Sequence, residues 1–190
     1  MQSYGRLLIA LVLSVLSGWF LFHKTLETSE PEINKAAPSA NIDKNLLMNA
    51  SFTNINGQQQ FLKQWQGNII VLNFWATWCP PCREEMPELS AMQDQYKQQN
   101  LVILGLSTDD LDTTKTYMKT APVSYPILAG DMQAMNLAES LGNNRGILPY
   151  TVIVDANGTV VKTFFGRVNQ QLLEKTITSL LQVSAVEEKQ

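Results

Sequence analysis

Apolar positions along this chain recur with two periods, and they divide residues 42–183 into strands and helices. Residues 51–55 and 60–62 flank Asn56-Gly57, a pair that tolerates positive φ, which predicts a hairpin. Residues 69–75 form a nearly unbroken apolar run and read as a central strand buried on both faces. Residues 101–106 read as a second such strand, parallel to the first. Between them, Met86, Leu89, Met92 and Tyr96 recur at helical spacing, predicting a helix over 80–98 with Pro80 in its first turn and Pro87 as an internal kink. A weaker helix covers 110–119. A third is marked by Ala134, Leu137, Ala138 and Leu141 and stopped by Gly142. Two strands over 150–154 and 159–165 are joined at Asp155-Ala156-Asn157-Gly158, and Leu173, Ile177, Leu180 and Leu181 mark a final amphipathic helix. The order is a hairpin followed by β-α-β-α-α-β-β-α, an α/β domain.

The first 41 residues follow neither period. Residues 7–22 are uncharged and apolar, with Arg6 before them and His23 and Lys24 after. Sixteen helical residues span roughly 24 Å, a little short of the ~30 Å hydrocarbon layer, and Tyr4, Trp19 and the basic flanks supply the rest. The run keeps its aromatic bulk to the end and no small-x-small pair follows directly, which favours an uncleaved signal-anchor over residues 1–24 rather than a cleaved signal peptide. Residues 25–41, rich in Glu, Ser, Pro and Ala, read as a flexible linker, and 184–190 as a C-terminal tail.

Composition narrows the functional classes. The chain has 190 residues and 45% apolar content, enough for one domain with a real core and no need of disulfide staples. A net charge of −3 without a basic cluster argues against nucleic-acid binding. The only two cysteines, Cys79 and Cys82, stand in Trp78-Cys79-Pro80-Pro81-Cys82, where the first buried strand hands over to the helix. Unpaired N–H groups at a helix start favour thiolate over thiol. Cys79 is therefore the expected exposed attacking thiol and Cys82, one turn inside, the buried resolving thiol. Lowering a thiol pKa from about 8.5 to about 7 raises the thiolate fraction at neutral pH from ~3% to ~50%. Glu84 and Glu85 nearby, and a Pro-Pro spacer without N–H groups, limit the expected drop for Cys79 to a moderate one.

Other uses of the pair compete with thiol–disulfide exchange. Zinc wants about four ligands, and the only histidine lies beside the N-terminal apolar run. A static disulfide across so short a loop adds little stability. Copper(I) can be held by two thiolates, so a copper-carrying module remains an alternative. A peroxidase would want Thr where Ala76 stands. No metal and no cofactor beyond a redox-active disulfide are expected.

From about residue 51 to residue 181 the chain resembles the thioredoxin superfamily, in particular the membrane-anchored, extracytoplasmic TlpA/ResA/CcmG-like thiol-disulfide oxidoreductases. Val71-Leu72-Asn73-Phe74-Trp75-Ala76-Thr77-Trp78-Cys79-Pro80-Pro81-Cys82, Pro87 and Gly146-Ile147-Leu148-Pro149-Tyr150-Thr151 carry the likeness. It implies a thioredoxin fold, a mixed central sheet flanked by helices, with an N-terminal hairpin and a central insertion containing the third helix. Pro149 would be cis and face the cysteines, with Trp78, Leu148 and Pro149 meeting an extended client segment. Asn73 stands where ordinary thioredoxins carry a buried acid. Glu85 matches an acidic position near the pair in ResA-like proteins, as a proton acceptor or pKa tuner; a solvated helix glutamate is the alternative. The resemblance further implies a monomer on the outer side of a bacterial inner membrane. It would reduce client protein disulfides, as in cytochrome c maturation or copper-site assembly, and be recharged by a membrane electron donor of the DsbD/CcdA type.

Overall fold

The computed structural model describes residues 44–187, with side chains to residue 182. The expected signal-anchor and linker lie outside these residues. Among the described residues, no helix is long and apolar enough to cross a membrane.

The elements in order are α1 (Lys44–Asn49), β1 (Ser51–Asn54), β2 (Gln59–Phe61), a 3-10 turn (Leu62–Trp65), β3 (Ile69–Trp75), α2 (Pro80–Tyr96), β4 (Leu101–Ser107), α3 (Leu111–Thr120), β5 (Ile127–Ala129), α4 (Asp131–Ser140), β6 (Tyr150–Val154), β7 (Val160–Phe165) and α5 (Gln170–Glu187). The seven strands form one mixed sheet in the order β2-β1-β5-β4-β3-β6-β7. β3 and β4 run parallel, as expected, and β6 pairs antiparallel to β3. Every residue of β3 is buried, because the strand is covered on both faces.

Two cores follow from the alternation of side chains along the strands. On one face Ile69, Val71, Trp75, Ile103 and Ile153 pack under Met86, Leu89 and Met92 of α2 and Leu173 and Ile177 of α5, together with both cysteines. On the other, Ile70, Leu72, Phe74, Leu104 and Val152 pack under Leu47 and Met48 of α1 and Ala134, Leu137 and Ala138 of α4. Gly105 of β4 allows the close packing on the cysteine face. A Cβ there would lie 2.6 Å from Ile127 Cδ1 and 3.0 Å from Tyr125 Cε2.

Both predicted turns form through the same device. Asn54 Oδ1 accepts the N–H groups of Asn56 and Gln58, and Asp155 Oδ1 those of Asn157 and Thr159, with Gly57 and Gly158 at positive φ. The structure also departs from the sequence expectations. α1 precedes the hairpin, and β5 sits between β1 and β4, antiparallel to β1 and parallel to β4. A three-residue strand carries too little alternation to be seen as one, yet β5 is what joins the hairpin to the sheet. The last helix continues to Glu187, past residue 183 where the domain was expected to end.

Candidate active site

The two cysteines are bonded, with sulfurs 2.03 Å apart. Cys79 is the N-cap of α2 in extended backbone, and its Sγ accepts the N–H of Cys82 at 3.3 Å. Pro80 and Pro81 fill the first two helical positions without donors, so the Cys82 amide is the first N–H of the helix to reach the sulfur. One expectation needs correction. Cys79 is only 3% exposed and Cys82 not at all: the order of burial is as expected, but Cys79 is not an exposed thiol. Cys79 lies within the core on that face of the sheet, while Trp78, 68% exposed, projects to solvent.

The loop from β3 to Cys79 is held from β4. Thr108 donates its N–H to the carbonyl of Trp75 at 2.9 Å, and Thr77 donates its N–H to Asp109 Oδ2 at 2.6 Å. Asp109 escaped the sequence reading. The available signal was its place just past the C-terminal end of a buried parallel strand, where α/β folds gather functional groups.

On the other side lies the segment before β6. The Leu148–Pro149 bond is cis. Since Tyr150 pairs with Phe74, Pro149 stands one step further along, level with Trp75 at the end of β3. Ile147 is tied on both backbone groups to the side chain of Asn143, and the carbonyl of Pro149 accepts from the N–H of Gly166. Leu148 between them is half-buried and packs against both cores, the one that holds the cysteines and the one opposite. Its own N–H and C=O make no hydrogen bond to the described residues.

Glu85 is fully buried, which removes the solvated-glutamate alternative. One turn beyond Cys82 on α2, its Oε1 accepts from Asn73 Nδ2 at 2.7 Å and its Oε2 from the N–H of Val168 at 2.7 Å. Asn73 Nδ2 also donates to Thr151 Oγ1, its cross-strand neighbour on β6. Burial raises the Glu85 carboxyl from 4.5 to about 7, against the opposing pull of the Val168 amide, Asn73 and the Arg167 guanidinium. Asn73 thus takes the place of a buried acid by presenting one. Its amide donates to the carboxylate and, turned over, would offer an acceptor to the protonated acid. Tyr125 is buried on the same side, its phenol pushed up by burial and by the charge of Glu85. Among the described residues no cluster of His, Cys, Asp or Glu has a metal-binding arrangement.

Comparison with known proteins agrees with this geometry. The AhpC/TSA family model matches residues 33–163. The thiol-disulfide oxidoreductase ResA of Bacillus cereus is 28% identical over 92% of this chain and 94% of its own length. The thioredoxin-like protein YneN of Bacillus subtilis is 27% identical over 91% and 94%. A thiol:disulfide interchange protein of Chlorobium tepidum superposes with a TM-score of 0.61 at 25% identity, covering 70% of this chain and 92% of its own. A secreted Mycobacterium tuberculosis disulfide oxidoreductase does so with 0.58 at 22%, covering 71% and 98%. The chain therefore belongs to the AhpC/TSA family, as one of its thioredoxin-like thiol-disulfide oxidoreductases.

Proposed function

We propose that this protein reduces disulfides of extracytoplasmic client proteins through the Cys79–Cys82 pair. The observation that carries the reading is the placement of Cys79 Sγ on the first N–H of α2, on the core against which Leu148 packs, whose backbone makes no hydrogen bond to the described residues. In the reduced protein the Cys79 thiolate attacks one sulfur of a client disulfide, forming a mixed disulfide and releasing the other client sulfur as thiolate. The Cys82 thiol passes its proton to Glu85 and attacks Cys79 Sγ. The second client thiolate leaves, and the Cys79–Cys82 bond closes. Two electrons have moved from protein to client. A membrane dithiol donor of the DsbD/CcdA kind returns them.

Each element of the site has a part in this sequence. A carboxyl with a midpoint near 7 is matched to accepting a proton at neutral pH, and Asn73 holds it without competing for that proton. Leu148 offers one N–H and one C=O to an extended client segment, and Trp78, next to Cys79 in the chain, offers an exposed apolar plate. Apocytochrome c or a copper-site cysteine pair are suitable clients, since both require reduced cysteines in an oxidising compartment. An anchor over residues 7–22 would hold the domain at the membrane surface as a monomer.

The test is reduction of a peptide carrying one intramolecular disulfide, followed by rapid-quench mass spectrometry. The parent reduces it with a single turnover per reduced protein. Cys79→Ser is inert, and Cys82→Ala accumulates a one-to-one covalent adduct that does not resolve. Turnover by Cys79→Ser would refute the assignment. Anaerobic copper(I) binding by a parent that fails to reduce the peptide would favour a copper carrier instead.

A further inference from the structure

Three consecutive residues between β7 and α5 each touch a different part of the site. The N–H of Gly166 donates to the carbonyl of Pro149 at 2.9 Å, the guanidinium of Arg167 pairs with Glu88 of α2 at 2.5 Å, and the N–H of Val168 donates to Glu85 Oε2 at 2.7 Å. The Gly166 contact extends the β6–β7 register one step past the Tyr150–Phe165 pair, whereas the Val168 contact belongs to no ladder. Gly166 adopts φ +81°, with nothing within 4 Å of where a Cβ would stand, so the backbone direction rather than space calls for glycine. That turn points the amides of residues 166 and 168 at two separate targets.

We propose that Gly166-Arg167-Val168 is a positioning strap that joins the Glu85 carboxyl to the cis-proline segment, with Arg167 as the residue that holds it against α2. A carboxylate accepts the Val168 amide more strongly than a neutral acid does, so gain or loss of a proton at Glu85 changes the pull on this turn. Two residues back, the same turn holds Pro149, next to the Leu148 backbone. The strap thereby links the proton state of the buried acid to the edge where a client segment would lie. Arg167 fixes its outer side through Glu88, and both side chains are more than two-fifths exposed. The groups facing Glu85 are Cys82 and Glu88 on its own helix, Asn73 of β3, Tyr125 before β5, and Arg167 and Val168 of the strap. In the oxidised protein Cys82 does not titrate, and Arg167 and Glu88 are opposite charges of comparable exposure.

The coupling itself does not depend on the direction of electron flow; its relevance to turnover rests on Glu85 serving as the proton acceptor. The experiment uses the oxidised full chain in detergent, without client. Nuclear magnetic resonance follows the Glu85 carboxyl carbon and the backbone amides of Leu148, Gly166 and Val168 from pH 5 to pH 9. All three amides should titrate with the Glu85 midpoint and become flat in Glu85→Gln. Arg167→Gln and Glu88→Gln each break the pair that holds the turn, so in both the Gly166 and Leu148 amides should lose much of their response while Glu85 still titrates. Arg167→Lys, which keeps a cation for Glu88, should restore the response. Amides of Gly166 and Leu148 that stay flat in the parent while Glu85 titrates, or that respond in full in both broken-pair variants, overturn the strap. Either result leaves the peptide-reduction assay free to succeed or fail separately.

Discussion

At the scale of single residues, Glu85 is where burial and chemistry meet. Its carboxyl midpoint lies at about 7 in the folded protein against 4.5 in an unfolded chain. Between those values the folded state holds a proton that the unfolded state has lost, so stability falls as pH rises from about 4.5 to about 7 and is level above that. The difference corresponds to about 3 kcal/mol. Glu85→Gln keeps the shape of the protonated acid and cannot ionise. Urea unfolding of the two oxidised proteins at pH 5 and pH 8 should therefore show the parent losing up to that amount relative to the variant. Equal losses in both would mean that Glu85 ionises in the fold as readily as in water. In the reduced protein the same substitution should slow closure of the mixed disulfide at pH 7, which separates a proton acceptor from a merely buried acid.

At the scale of elements, the start of α2 has two supports of different origin. One is the helix itself, which presents the Cys82 amide to Cys79 Sγ. The other is the β4–α3 loop, where Asp109 takes the Thr77 amide. Asp109→Ala leaves that partly buried N–H without its charged acceptor. A cost of about 1–3 kcal/mol in unfolding free energy is expected, together with slower exchange, because the loop carrying Trp78 is no longer held. Asp109→Asn, which keeps an oxygen acceptor, should recover most of both. Unaltered exchange in Asp109→Ala would confine the residue to stability. The elements also differ in how well they announce themselves. α2, with four apolar positions at helical spacing, was foreseen to within two residues of its end. β5 was not, since its three residues become a strand only when β1 and β4 offer partners on both sides.

At the scale of the whole molecule, the sheet keeps two cores apart. Leu47 of α1 is 1% exposed in the core opposite the cysteines. Leu47→Ala should cost about 2–5 kcal/mol in unfolding free energy. It should leave the Glu85 midpoint unchanged, because neither the disulfide nor Glu85 belongs to that core; only Leu148 packs against both. A shift in the midpoint would show that strain crosses the sheet. The cysteine face has no such independence: Met86 and Leu89 share α2 with Cys82 and Glu85, so packing changes there should move stability and chemistry together.

The pattern along the chain determined the longer strands and helices and their order, though not α1 or β5, together with both turns and the position of the cysteine pair at a strand–helix junction. These depend on residues within a few positions of one another, whose periodicity and turn chemistry are read directly. Tertiary structure decided the rest of the site. Glu85 meets Asn73 twelve positions away and Val168 eighty-three positions away, and Thr77 meets Asp109 thirty-two positions away. The residue type of Glu85 suggests a solvated helix acid. Only the packing of α2 and α5 on the sheet takes it out of water and turns it into a group that can hold a proton at neutral pH. The burial of Cys79 has the same origin, since exposure is a property of the assembled surface rather than of the dithiol's place in the chain.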